Sequence, residues 1–180
     1  MKVAFRVDAS LQIGSGHVMR CLTLAEALRK QGAKCHFISR EQPGHLLQLI
    51  QDRSFVLTTL PENISTLFSH LENGNRFEND PAHANWLGCD WQTDAAHTCA
   101  SLAGIQSDWL VVDHYALDQR WEHALQSHCR KLMVIDDLAD RPHQCDLLLD
   151  QNLGRQTSDY ENLVPADCKL LVGPHYALLR

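Results

Sequence analysis

The sequence predicts an α/β fold built on one parallel sheet, and three observations predict it. Short apolar runs alternate with segments of helical spacing along the chain. A glycine turn, Gly14-Ser15-Gly16, joins the first apolar run to the first helical segment. Polar clusters follow the ends of several apolar runs, where an open parallel sheet keeps its ligand crevice.

Residues 3–7 read as the first strand. Val18, Cys21, Leu22, Ala25 and Leu28 then recur at helical spacing, and Gly32 closes that helix. Residues 35–38 read as a second strand, and Pro43-Gly44 precedes a short helix holding Leu46, Leu47 and Ile50. Residues 55–57 read as a third strand. Residues 61–80 are polar and rich in Asn, and read as a long loop with a brief helix at 66–71. Residues 82–103 read as helix broken at Gly88, 109–112 as a fourth strand, 120–128 as a helix and 132–135 as a fifth strand. Two short strands, 147–149 and 170–172, end the pattern, with a polar loop at 151–168 between them. Units of this length call for a parallel sheet covered on both faces.

A chain of 180 residues is long enough to bury one full core. The net charge of −6 gives no support for nucleic-acid binding. Seven cysteines, an odd number with no C-x-x-C, fit free thiols in a reducing cytosol better than a disulfide framework. The strand that follows Met1 so closely argues against a secretory signal, and no apolar run approaches the ~20 residues of a membrane span. The eleven histidines show no H-E-x-x-H, and no D-x-D occurs. Neither a metal nor a cofactor is therefore expected, and metal-dependent nucleotide-sugar transferases of the D-x-D type are disfavoured.

The chemistry concentrates on Gly14-Ser15-Gly16-His17. Two glycines allow positive φ and leave room for a ligand beside the backbone. A helix start offers unpaired N–H groups and partial positive charge, which suits a polar or anionic ligand. It also disfavours an imidazolium, so His17 at that start is a candidate general base. The motif is neither G-x-G-x-x-G, since Met19 takes the third glycine position, nor a Walker A loop. A tight turn with no chemistry explains the same glycines. Asp8, Asp113-His114-Tyr115, Asp136-Asp137 and Asp150-Gln151-Asn152 all fall at strand ends. Each one alone reads equally well as a cap or turn residue. Together they predict a shared cleft on one rim.

Four motifs taken together, residues 13–21, 113–115, 135–141 and 173–180, resemble the UDP-sugar hydrolases of pseudaminic acid biosynthesis. The resemblance implies the N-terminal half of a GT-B-like fold, in which two Rossmann-like domains face each other across a cleft. It implies that a C-terminal UDP-binding domain of the same protein lies outside these 180 residues, and that the chain alone has little activity. The implied reaction is hydrolysis of UDP-2,4-diacetamido-2,4,6-trideoxy-β-L-altropyranose, with inversion, to UDP and the free sugar. His17 takes the place of the base. Asp8 and Asp113 take water-orienting or supporting places, Gly14, Ser15 and Gly16 give backbone contacts to the sugar, and His114, Tyr115, Asp137 and Asn152 complete the polar wall. A transferase of the same fold using a UDP-sugar donor, and a non-catalytic binding domain, remain alternatives at this point.

Overall fold

The computed structural model describes residues 1–61 and 80–179. Most of the loop expected at 61–80, with its brief helix, lies outside the described residues. Strand β1 spans Lys2–Val7, helix α1 Gly16–Lys30, β2 Lys34–Arg40, α2 Leu47–Asp52 and β3 Val56–Leu60. A 3₁₀ turn, Ala84–Leu87, precedes α3 at Trp91–Leu102, β4 at Ser107–Asp113 and α4 at Gln119–Leu125. Then come β5 at Cys129–Ile135, β6 at Leu147–Asp150 and β7 at Lys169–Val172. The expected break at Gly88 is present: its φ of +77° ends the 3₁₀ turn, and Asp90 then caps α3 by accepting from the Thr93 N–H at 2.7 Å.

All seven strands form one sheet in the order β3-β2-β1-β4-β5-β6-β7, and every pairing is parallel. This is the Rossmann-like arrangement. From β1 the chain builds outward through β2 to β3, then returns to the other side of β1 with β4. The order therefore reverses between β1 and β4, and a crevice opens beyond their carboxyl ends.

The pleat decides what each residue meets, because neighbours along a strand point to opposite faces. Val3, Phe5, Val7, Val111, Met133 and Ile135 face α1 and α2, where they bury Val18, Cys21, Leu22, Ile50 and Phe55. Ala4, Leu110, Val112, Leu132, Val134 and Leu148 face the other way, toward Leu102, Trp121, Leu125 and Tyr160. Both faces are thus covered, which a parallel sheet requires. No described helix is long and apolar enough to cross a membrane.

Candidate active site

Ser10 to Gly16 lead from β1 into α1 and shape the turn. The Ser10 hydroxyl accepts from the N–H groups of Gln12 (3.2 Å) and Ile13 (3.0 Å), and the Gly14 N–H donates to the Ser10 carbonyl at 2.8 Å. Gly14 takes φ +78°, where a side chain would be strained. Gly16 has no such need, yet the space above it is open. Ser15 at the N-cap makes no side-chain cap, and the first turn of α1 carries no carboxylate. The partial positive charge of this helix end is thus left without a local counter-charge.

His17 and Arg20 lie three residues apart on α1 and so share one face. Asp113, the last residue of β4, has the same parity as Val111 and points at that face. His17 Nδ1 lies 2.5 Å from Asp113 Oδ1. Arg20 donates from Nε to Asp113 Oδ2 at 2.6 Å, from a terminal nitrogen to Asp113 Oδ1 at 2.6 Å, and from the other to Asp137 Oδ2 at 2.9 Å. A carboxylate can only accept, so Nδ1 carries a proton in either state of the ring, and in the neutral ring Nε2 is the acceptor. Burial alone would push the Asp113 acid up. The charge of His17 when its ring is protonated, that of Arg20, and the hydrogen bonds both donate outweigh it and hold the group well below the usual carboxylate range.

A cleft of about 470 Å³ opens on this group, lined by Gly16, His17, Arg20, Trp86, Tyr115 and Asp137 among others. The Tyr115 ring meets His17 edge to face at 4.5 Å. Trp86 lies 6.0 Å from Tyr115, and His83 packs on Trp86 at 4.2 Å, so three rings cluster, of which Trp86 and Tyr115 line the cleft. Burial, then the hydrogen bond and charge of Asp137, push the Tyr115 phenol up, so it stays an O–H donor. On the far side the Asp137 carbonyl accepts from Asn152 Nδ2 at 3.0 Å and Arg155 at 2.8 Å, which fixes that loop. Gln151 Oε1 accepts from the Leu178 N–H at 3.0 Å and holds the last described residues along the cleft.

The sequence-derived site therefore divides. His17, Gly16, Tyr115 and Asp137 come together at the cleft, with Asp113 buried behind His17. Gly14 and Ser15 are exposed on the adjoining turn, and Asn152 acts on Asp137. Asp8 and His114 need correction. Asp8 shares the parity of Ala4 and Arg6 and points to the opposite face of the sheet. It is fully buried there, holding Arg6 at 2.5 Å and the Arg40 N–H at 2.7 Å. His114 follows it, with Nε2 3.4 Å from Asp8 Oδ2 and Nδ1 accepting from the Ala116 N–H. Neither lines the cleft. Arg20, Trp86 and His83 had been given no role from sequence, whereas Gln151, from the cluster at the end of β6, lines the cleft.

No protein-family model matches the chain. Over its whole length it is 31% identical to UDP-2,4-diacetamido-2,4,6-trideoxy-β-L-altropyranose hydrolase of Campylobacter jejuni. The chain is a homologue of that hydrolase. It is also 19% identical, again over its whole length, to an uncharacterised protein of Methanocaldococcus jannaschii. It spans 52% of the first relative and 31% of the second, so about half or less of the curated relatives it matches.

Proposed function

We propose that this chain supplies the base and the sugar-side wall for hydrolysis of a UDP-sugar, with the diacetamido-trideoxy-altrose named for its relative as the substrate. The observation that carries this reading is His17, which lines the cleft at the β1/β4 reversal, paired with Asp113 buried behind it. His17 Nε2 accepts a proton from water as the water oxygen attacks the anomeric carbon. The bond from that carbon to the diphosphate oxygen breaks, and UDP leaves with the electron pair. Attack opposite the leaving group inverts the configuration. UDP carries its new negative charge on a phosphate oxygen, so no second carboxylic acid is needed to protonate it. Asp113 keeps the Nδ1–H in place and faces the imidazolium that forms, while Arg20 keeps Asp113 in place. Asp113 is thus a positioning residue. The open backbone at Gly16 and the start of α1 give polar contacts. The Trp86 and Tyr115 rings, backed by His83, offer an apolar wall suited to a deoxy and acetylated sugar face.

The other half of the relative's length fits a second Rossmann-like domain that grips UDP, closing a GT-B-like cleft over this one. Leu11, Leu153 and Leu179 stand four-fifths or more exposed on the carboxyl-end side of the sheet, where such a domain would pack. The test compares residues 1–180 with a version fused to a UDP-binding domain, following UDP and free sugar with no acceptor present. Stoichiometric sugar release by the fused protein, and negligible release by the 180 residues, is expected. Release only after an acceptor is added would make the protein a transferase. Tight binding without release would make it a binding domain.

A further inference from the structure

Of the seven cysteines, Cys145 and Cys168 are the two whose sulfurs meet among the described residues, at 3.6 Å. Each precedes a strand. Cys145 lies two residues before β6 and Cys168 one residue before β7, and these strands pair in parallel with Leu147 opposite Lys169. The pairing continues to their amino ends, where the Lys169 N–H donates to the Asp146 carbonyl at 2.9 Å. The thiols therefore sit on two backbone segments that the sheet already holds side by side. Cys145 is buried at 6% exposure in the α3/α4-side core, whereas Cys168 is half-buried and open on one side. Both lie at the amino end of the sheet, opposite the rim that carries His17.

We infer that Cys145 and Cys168 form a reactive thiol pair that closes to a disulfide when a small-molecule disulfide reaches Cys168. The geometry assigns the order of events. At 3.6 Å either S–H can donate to the other sulfur, so a thiolate on Cys168 would keep Cys145 as its donor. Cys168 is also the exposed partner. Its thiolate attacks one sulfur of the reagent and releases the first small thiol, leaving a mixed disulfide on Cys168. Cys145 then gives up its proton, and its sulfur displaces the second small thiol from Cys168. The protein pair loses two electrons and two protons, and the reagent gains both as two thiols.

The bond would bracket the segment between the two cysteines. That segment carries Gln151, which lines the cleft, and Asn152 and Arg155, which hold the Asp137 carbonyl. It also carries Tyr160, whose hydroxyl donates to both Asp136 (3.0 Å) and Asp150 (2.8 Å). A staple at its base restricts this segment in the unfolded chain, so the oxidised protein should melt at a higher temperature.

The experiment treats native, fully reduced protein with oxidised glutathione, blocks free thiols at intervals and maps the proteolytic peptides by mass. A peptide pair joined through Cys145 and Cys168 should appear before any other cysteine is modified, and its appearance should track a rise in melting temperature. Cys145→Ser should instead accumulate the glutathione adduct on Cys168. Cys168→Ser should leave Cys145 unmodified over the same interval. The inference is overturned if native protein accumulates the adduct on Cys168 with Cys145 still free. It is overturned equally if the joined peptides form only after denaturation. Both readouts come from the wild-type chain, so a variant that fails to fold does not decide the outcome.

Discussion

Replacing Asp113 by Asn tests the centre of the proposed site through stability alone. The side chain keeps its shape and loses its charge. It is fully buried and accepts from His17 and twice from Arg20. After the change Arg20 keeps only Asp137, which is partly open to solvent. Breaking one side of a buried pair costs about 3–5 kcal/mol, because the remaining charge stays buried without its partner. That is a large part of the roughly 5–15 kcal/mol that holds a domain together. At a urea dependence of about 2 kcal/mol/M, the unfolding midpoint should fall by about 1.5–2.5 M with little change in slope. Adding Arg20→Met removes the stranded cation and should recover much of the loss, a coupling that a double-mutant cycle measures. The effect has a pH signature. Asp113 ionises below its unfolded value of about 3.9, so its contribution is present above that pH and lost as the pH falls through the folded value. The gap between wild type and Asp113→Asn should therefore narrow below about pH 4. A midpoint shift under about 0.5 M at pH 7, with no recovery on Arg20→Met, would mean that this carboxylate is not the anchor described here.

Three further expectations concern the cleft, each read in a version with its UDP-binding half. His17→Ala or Asn should lower kcat by about 10²–10⁴ with KM little changed, and near-wild-type sugar release would remove His17 from the mechanism. Gly16→Ala should leave the melting temperature unchanged or slightly raised, since a Cβ there meets nothing and Ala favours helix. The same variant should raise KM, because the space it fills is the space a sugar needs, and an unchanged KM would show that the ligand stays clear of this turn. Activity should survive EDTA, because Arg20 already binds the cleft carboxylate Asp137 and the buried Asp113 behind it. Loss with EDTA and recovery with Mg²⁺ or Mn²⁺ would show a cation competing with Arg20.

The strands and the helices flanking the early ones were legible because their apolar residues are periodic, and β1 to α1 because glycine punctuates it. Trp86 and His83 were not legible. They follow a polar stretch with no period of its own, and only the tertiary path brings them against Tyr115. Arg20 left a signal that could have been used. It stands three residues after His17, and the apolar positions of α1 already showed that this face turns inward.

The polar clusters at the strand ends were found, but treating each as a unit hid the pleat. Adjacent residues leave a strand on opposite faces, so every cluster splits. Val111 packs toward α1, which sends Asp113 to His17 and leaves His114 to Asp8. Ile135 packs the same way, which sends Asp137 to Arg20. Asp136, one residue earlier, goes to Arg141 (2.9 Å) and the Tyr160 hydroxyl (3.0 Å) on the other side. Leu148 packs toward Tyr160, which buries Asp150 against it and leaves Gln151 for the cleft. Counting alternation from the apolar residues of each strand would have separated Asp113 and Asp137 from Asp8, His114, Asp136 and Asp150. A carboxylate saturated by buried cations and backbone N–H groups, as Asp8 is, has no lone pair left for a substrate, and its low proton affinity reflects a structural load. Asp113 carries a comparable load from Arg20, but spends one oxygen on a ring nitrogen of His17, which lines the cleft.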